Sequence, residues 1–163
     1  MAVIDELMRA NARYAATFDQ GELPMPPRRH VAIVTCMDAR IHPSLMLGLE
    51  VGDAHVIRNA GGRAADALRS LVISQRLLGT NEVAVIHHTD CGMLTFTNEQ
   101  LWERIGQDLG VGAPISDFLP FTDVEQSVRD DVAQLRASPL IARDAPIRGF
   151  VYDVRSGRLT EVI

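Results

Sequence analysis

The chain has 163 residues, 47% of them hydrophobic, which is enough for one domain with a substantial core. A net charge of −5 without a basic block, together with only 5% aromatic residues, argues against a nucleic-acid surface built on stacking platforms. No apolar run reaches the length of a membrane-spanning helix, and two cysteines, Cys36 and Cys91, are too few for a disulfide framework.

The N-terminus, MAVIDELMRANARYAATF, has Asp5 and Glu6 where a secretory leader has positive charge, so the expectation is a soluble, cytoplasmic protein. Val3, Ile4, Leu7, Met8, Ala15 and Phe18 fall near helical spacing and predict an amphipathic helix over 3–18. The Pro-rich stretch GELPMPPRRH (21–30) cannot continue it. A helix on so stiff a leash either folds back or packs on another subunit. VAIVT (31–35) is a short continuous apolar run, the pattern of a strand buried on both faces of a parallel sheet.

Pro43 suits the first position of a helix over HPSLMLGLE. Gly52 and Asp53 turn the chain into a strand, AHVIR (54–58). NAGGRA (59–64) is a Gly-rich turn into a helix carrying Leu68, Leu71, Val72 and Leu78, with Gly79 as its stop. EVAVIH (82–87) is a third, almost wholly apolar strand. Leu101, Ile105 and Leu109 predict a further helix, and GVGAPISDFLPF (110–121) a loop. Thr122 and Glu125 have capping-box spacing ahead of Val124, Val128, Val132 and Leu135. IRGFVYDV and RLTEVI, separated by Arg-Ser-Gly, close the chain as a strand pair. The fold class is α/β: a single domain with a mixed, mainly parallel β-sheet flanked by helices.

In such sheets sites form beyond the carboxyl ends of the strands, where strand order reverses. Cys36 follows the first strand; His88 and Cys91 follow the third. If those strands are neighbours, two thiols and one imidazole meet at one rim, a donor set that zinc accepts with a fourth position left open. Each cysteine alone reads as a buried core thiol, and spacing alone leaves zinc open, because the tight C-x-x-C repeat of a zinc finger is missing. Asp38 and Arg40 tip the balance. Two and four residues past Cys36, they can share its side of an extended backbone, and an Arg beside an Asp keeps the carboxylate ionised and oriented. A carboxylate held there can aim a reacting oxygen, or swing in and take the fourth position itself. Of the other histidines, His42 is a possible proton shuttle. His87 should point to the opposite strand face and serve packing or hydrogen bonding, and His30 and His55 read as ordinary. Asp90 reads as stabilising the turn between His88 and Cys91.

C-x-D-x-R after a buried strand (Cys36 to Arg40), R-N-A-G (Arg58 to Gly61) and H-x-x-C-G (His88 to Gly92), in that order, resemble the β-class carbonic anhydrases, in their short bacterial and archaeal branch. The resemblance implies one Zn2+ per subunit on Cys36, His88 and Cys91. It also implies Asp38 and Arg40 as the catalytic dyad, and Gly61 and Gly62 in a turn whose backbone approaches the site. The implied activity is reversible hydration of CO2 to bicarbonate by zinc-bound hydroxide. One β-carbonic anhydrase-like domain would span 1–163, with the helix and arm of 1–29 embracing a partner in a homodimer or homotetramer. No nucleic acid or membrane partner is expected.

Two other readings compete. Hydrolysis of carbonyl sulfide or carbon disulfide would use the same zinc site, with Met37, Met93, Leu94 and Phe96 as candidate channel lining. A thiol redox or zinc-binding module would pair Cys36 with Cys91 and leave Asp38 and Arg40 without a task.

Overall fold

The continuous apolar run after the Pro-rich arm forms strand β1 (Val31–Cys36), and the third run forms β3 (Glu82–His88). The computed structural model describes residues 2–112 and 115–163. Between these strands lie helix α2 (Pro43–Leu47), strand β2 (Ala54–Asn59), a 3-10 turn (Ala60–Gly62) and helix α3 (Ala64–Leu78). After β3 come a 3-10 turn (Gly92–Leu94), helices α4 (Asn98–Leu109) and α5 (Val124–Ala137), and strands β4 (Ile147–Tyr152) and β5 (Leu159–Glu161). The N-terminal helix, α1, runs Val3–Ala15.

The strands form one sheet in the order β2-β1-β3-β4-β5. β1 pairs in parallel with both β2 and β3, β3 pairs in parallel with β4, and only β5 is antiparallel. This is the mixed, mainly parallel sheet that the alternating pattern predicts. From β1 the chain moves outward to β2, whereas from β3 it moves the other way to β4. The strand order therefore reverses between β1 and β3, and a crevice opens at their carboxyl ends.

Helices α3 and α5 cover one face of the sheet. Ala64, Ala67 and Leu71 of α3 and Val128, Val132 and Leu135 of α5 pack on Ala32, Val34, Val83 and Val85. Each Val or Leu side chain fully removed from water in this way contributes roughly 1.5–3 kcal/mol. Gly79 ends α3 as expected, at φ +73°, with its N–H on the Ser74 carbonyl. The cap of α5 differs from the sequence expectation by one residue. Asp123, not Thr122, is the N-cap: its carboxylate accepts the Gln126 N–H at 2.9 Å. A capping box does occur at α4, between Thr97 and Gln100. The expected 110–121 loop includes residues 113 and 114, which lie outside the described residues.

The arm is tied down at its base. Asp53, buried at the start of β2, accepts from Arg28 Nε at 2.8 Å, pairs with Arg29 at 3.0 Å and accepts the Glu50 N–H at 3.0 Å. Beyond that anchor α1 has no buried residue, and Val3, Ile4, Leu7 and Met8 stay exposed. The amphipathic helix does not fold back onto its own chain. Among the described residues, no helix is long and apolar enough to cross a membrane.

Candidate metal centre

Cys36 and His88 are the last residues of the adjacent strands β1 and β3, and Cys91 follows three residues later. The β1/β3 reversal thus brings all three to one rim. Their ligand atoms lie within 4.8 Å of one another, and all three residues are buried. His88 Nδ1 faces the Thr89 carbonyl at 2.9 Å and donates to it, so Nε2 carries the lone pair. Nε2 is buried and has no hydrogen-bond partner among the described residues. A buried imidazole nitrogen without a partner costs free energy unless something binds it. Two sulfurs beside it supply the soft donors that suit a zinc ion, so the residues present fit that ion.

The two thiols share a proton unequally. A hydrogen bond from Cys91 holds the Cys36 thiol well below its ordinary value; His88 and the backbone near Asp38 and Gly61 add to this against the opposing effect of burial. Cys91 is pushed up for the complementary reason, since it keeps the proton beside the Cys36 sulfur. The Gly61 N–H donates to Cys36 Sγ at 3.3 Å.

Asp38 and Arg40 do not lie on an extended segment, as the sequence suggests. The Asp38 carboxylate accepts the Arg40 backbone N–H at 2.8 Å and bends the chain into a turn. That turn lets the guanidinium reach back over the carboxylate, with Nε on Oδ1 at 3.0 Å and Nη2 on Oδ2 at 2.8 Å. The side-chain hydrogen bond from Arg40 is the largest reason the Asp38 carboxyl sits well below the usual carboxylate range. Asp38 Oδ2 lies 3.9 Å from His88 Nε2, so the ionised carboxylate borders the cluster.

Asp90 and Arg58 do more than their sequence context suggests. Arg40 Nη1 pairs with Asp90 Oδ2 at 2.6 Å and Nη2 donates to the Asp90 carbonyl at 2.9 Å. Asp90 therefore grips the dyad as well as shaping its own turn at φ +55°. Arg58 donates to the Cys36 carbonyl at 3.0 Å and the Asp38 carbonyl at 2.8 Å, bracing the backbone between Cys36 and Asp38. The sequence signal for either role is slight: Arg58 opens R-N-A-G, and Asp90 occupies a variable position of H-x-x-C. His42 serves as the N-cap of α2, its Nδ1 accepting the Leu45 N–H at 3.4 Å.

A cleft of about 420 Å3 opens on the cluster, lined by Cys36, Asp38, Gly61 and Cys91 with Met37, Met93 and Phe96. Leu94 is not part of that lining; it packs on the small core of Cys36, Ile41, Cys91 and Met93.

The carbonic anhydrase family model matches residues 31–110. The chain is 46% identical over 163 residues to β-carbonic anhydrase 1 of Mycobacterium tuberculosis, with 99% of each chain covered. It belongs to the β-carbonic anhydrase family. A crystal structure of carbonic anhydrase from Streptococcus mutans matches with a TM-score of 0.95 and 52% identity, over 100% of this chain and 99% of that one. Carbon disulfide hydrolase of Acidianus is also similar, 33% identical over 83% of this chain and 78% of its own. This chain is thus similar to relatives named for two chemistries.

Proposed function

We propose that this chain is a zinc-dependent carbonic anhydrase that converts CO2 and water reversibly to bicarbonate and a proton. Cys36, His88 and Cys91 would hold one Zn2+ per subunit, and Asp38 with Arg40 would form the catalytic dyad. One observation carries the reading: two thiols and an unpartnered imidazole nitrogen converge within 4.8 Å, beside a carboxylate held ionised by an arginine. The metal, when bound, supplies the Lewis acidity that makes water a nucleophile near neutral pH.

The remaining work falls to the chain itself. Asp38 has no proton to give at neutral pH, so it can only accept a hydrogen bond. Water donating to that carboxylate has its lone pair turned toward the cleft. Arg40 occupies both carboxylate oxygens and stops the group rotating. CO2 is apolar and small, and the Met93 and Phe96 side of the cleft offers it a surface that does not compete for the nucleophile's hydrogen bonds. Addition of water to the carbon leaves one proton to pass to solvent buffer.

Metal analysis of purified protein, paired with a CO2-hydration assay on the same sample, tests this reading. Protein free of zinc, unresponsive to added zinc and inactive toward CO2 defeats it. A second reading, hydrolysis of carbon disulfide or carbonyl sulfide, is favoured by the similarity to carbon disulfide hydrolase. Parallel assays with CO2, carbonyl sulfide and carbon disulfide separate the two. A thiol redox module is the weakest reading, because it leaves the Asp38–Arg40 pair without a task.

The domain spans 1–163 in this proposal, and the 1–29 arm packs on a partner subunit in a homodimer or homotetramer. Support comes from the exposed apolar side of α1, which a second copy would cover. Sedimentation of the whole chain beside a Leu7→Glu, Met8→Glu double variant tests it: equal masses rule the arm out as the contact. Two buried free thiols suit a reducing compartment, and the cytoplasm is the proposed location.

A further inference from the structure

We infer that His87, backed by Asp131, is a positioning residue: it holds the Gly61–Gly62 turn in the one placement that directs the Gly61 N–H onto the Cys36 sulfur. The inference rests on the zinc reading above and deepens it, because neither His87 nor Asp131 belongs to the ligand set or the dyad.

Both side chains are fully buried, His87 at 0% and Asp131 at 1% exposure, on the sheet face otherwise filled by Val, Leu and Ala. Burying such groups costs free energy that an apolar pair of similar volume would not incur. Packing alone therefore does not account for them. Their contacts do.

His87 Nε2 faces two acceptors, the Gly62 carbonyl at 3.2 Å and Asp131 Oδ2 at 3.3 Å, so this nitrogen carries a proton and donates it. The ring is held from the other edge by Ser127 Oγ, 2.7 Å from Nδ1. Phe121 stacks on it at 5.5 Å between centroids, and the Arg63 guanidinium covers Phe121 in turn. Asp131 is itself fixed, by Arg63 Nη2 at 2.8 Å and the Ala64 N–H at 2.7 Å.

The segment so gripped is the one that touches the metal ligand. Asn59 closes it at its ends, accepting the Arg63 N–H at 2.7 Å and donating to the Arg63 carbonyl at 2.9 Å. His87 takes the Gly62 carbonyl and Asp131 takes the Ala64 N–H. The Gly61 N–H is left to point at Cys36 Sγ, 3.3 Å away. Gly62 lies directly on the β1 backbone: a Cβ there would come within 2.9 Å of the Thr35 carbonyl carbon. A small shift of the turn is thus transmitted to Cys36. An N–H donated to a thiolate withdraws charge from the sulfur and tunes the metal it binds.

Co2+ bound in place of zinc reports on this directly, since Zn2+ is d10 and spectroscopically silent. His87→Phe keeps a ring but removes the donor to Gly62. It is expected to move the thiolate-to-cobalt charge-transfer band to lower energy and to weaken Zn2+ affinity, read by chelator competition, by about 10- to 100-fold. His87→Gln, whose amide can again donate to Gly62, restores both toward wild type. Ser127→Ala lowers the melting temperature but keeps the wild-type band, because it leaves the Nε2 donor in place. Should His87→Phe fail to fold, Asp131→Asn carries the test, with a band shift in the same direction. A wild-type band and wild-type Zn2+ affinity in folded His87→Phe, or in Asp131→Asn where His87→Phe does not fold, overturn the inference and leave the zinc reading intact. Wild-type protein that binds neither Co2+ nor Zn2+ overturns the zinc reading instead.

Discussion

His88 turns Nδ1 onto the carbonyl of Thr89, its own neighbour, at 2.9 Å, and so aims Nε2 at the two cysteines. That backbone contact fixes the tautomer, a role a carbonyl or carboxylate commonly has behind a metal-binding histidine. Zinc added to the protein should therefore bind the folded form alone and raise its melting temperature. At a hundredfold excess over Kd the gain is about 2.7 kcal/mol, or roughly 5–10 °C for a chain of this size. Calorimetry with and without zinc checks it. Cys36→Ser, His88→Ala and Cys91→Ser should each lose most of the response, and a full response in all three would place the zinc elsewhere.

Arg40 bridges two acids of different standing. Asp38 borders the cluster, whereas Asp90 is exposed and pairs with the Arg40 guanidinium from the far side. Asp38→Ala should lower kcat/KM for CO2 hydration by about a hundredfold, the lower end for loss of a positioned acid–base group. Asp90→Asn should cost about tenfold, because Arg40 keeps Asp38 and the Asp90 carbonyl but loses the charge of the Asp90 carboxylate. Neither should change stability much, as the guanidinium that both carboxylates share is solvent-accessible. Stopped-flow hydration beside denaturant unfolding reads both quantities. Equal kinetic losses in the two variants would contradict the division of labour.

How much of this could be read from the sequence depends on whether a residue acts through its strand or through a turn. Cys36, His88 and Cys91 were legible because β1 and β3 are continuous apolar runs that end in Cys36 and His88, with Cys91 three residues on, and parallel neighbours align their ends. Gly79 was legible as a stop for the same local reason. Asp38 was misplaced onto an extended segment, since nothing in C-x-D-x-R says that the Asp38 carboxylate will capture the Arg40 N–H. Asp90 and Arg58 gain their contacts only when the turn after β1, the turn after β3 and the end of β2 meet. Ser127 and Asp131, on α5, reach His87 across some 40 residues, a distance no local pattern encodes.

Acid should loosen the fold through Asp131. Burial, the largest influence, pushes its carboxyl up; the His87 hydrogen bond, the Ala64 N–H and the Arg63 charge together outweigh it and hold the group below the usual range. The folded state therefore binds this proton less tightly than the unfolded chain, whose carboxyl titrates near about 3.9. The stabilisation is present in full above that value and is lost as pH falls through the lower, folded pKa. Asp131→Asn should be less stable than wild type by roughly 3 kcal/mol at pH 7, since it strips a buried partner from Arg63 and His87. The difference should shrink below about pH 4. Urea unfolding at pH 7 and in mild acid tests this, and a gap that holds constant into acid removes Asp131 as the titrating group.

Gly62 and Gly110 have the same left-handed backbone, at φ +71° and +67°, but different surroundings. At Gly110 nothing among the described residues lies within 4 Å of an added Cβ, whereas at Gly62 it would meet the Thr35 carbonyl carbon at 2.9 Å and the Cys36 nitrogen at 3.0 Å. Gly110→Ala should cost about 1 kcal/mol, the conformational penalty alone. Gly62→Ala carries that penalty and also forces two backbones apart, so roughly 3 kcal/mol is expected. Because the displaced atoms belong to Thr35 and Cys36, Zn2+ affinity should fall in Gly62→Ala and stay at the wild-type value in Gly110→Ala. Denaturant midpoints and chelator competition on the two variants measure both effects. Equal stability losses with unchanged Zn2+ binding would mean that the contact between this turn and β1 has no bearing on the metal site.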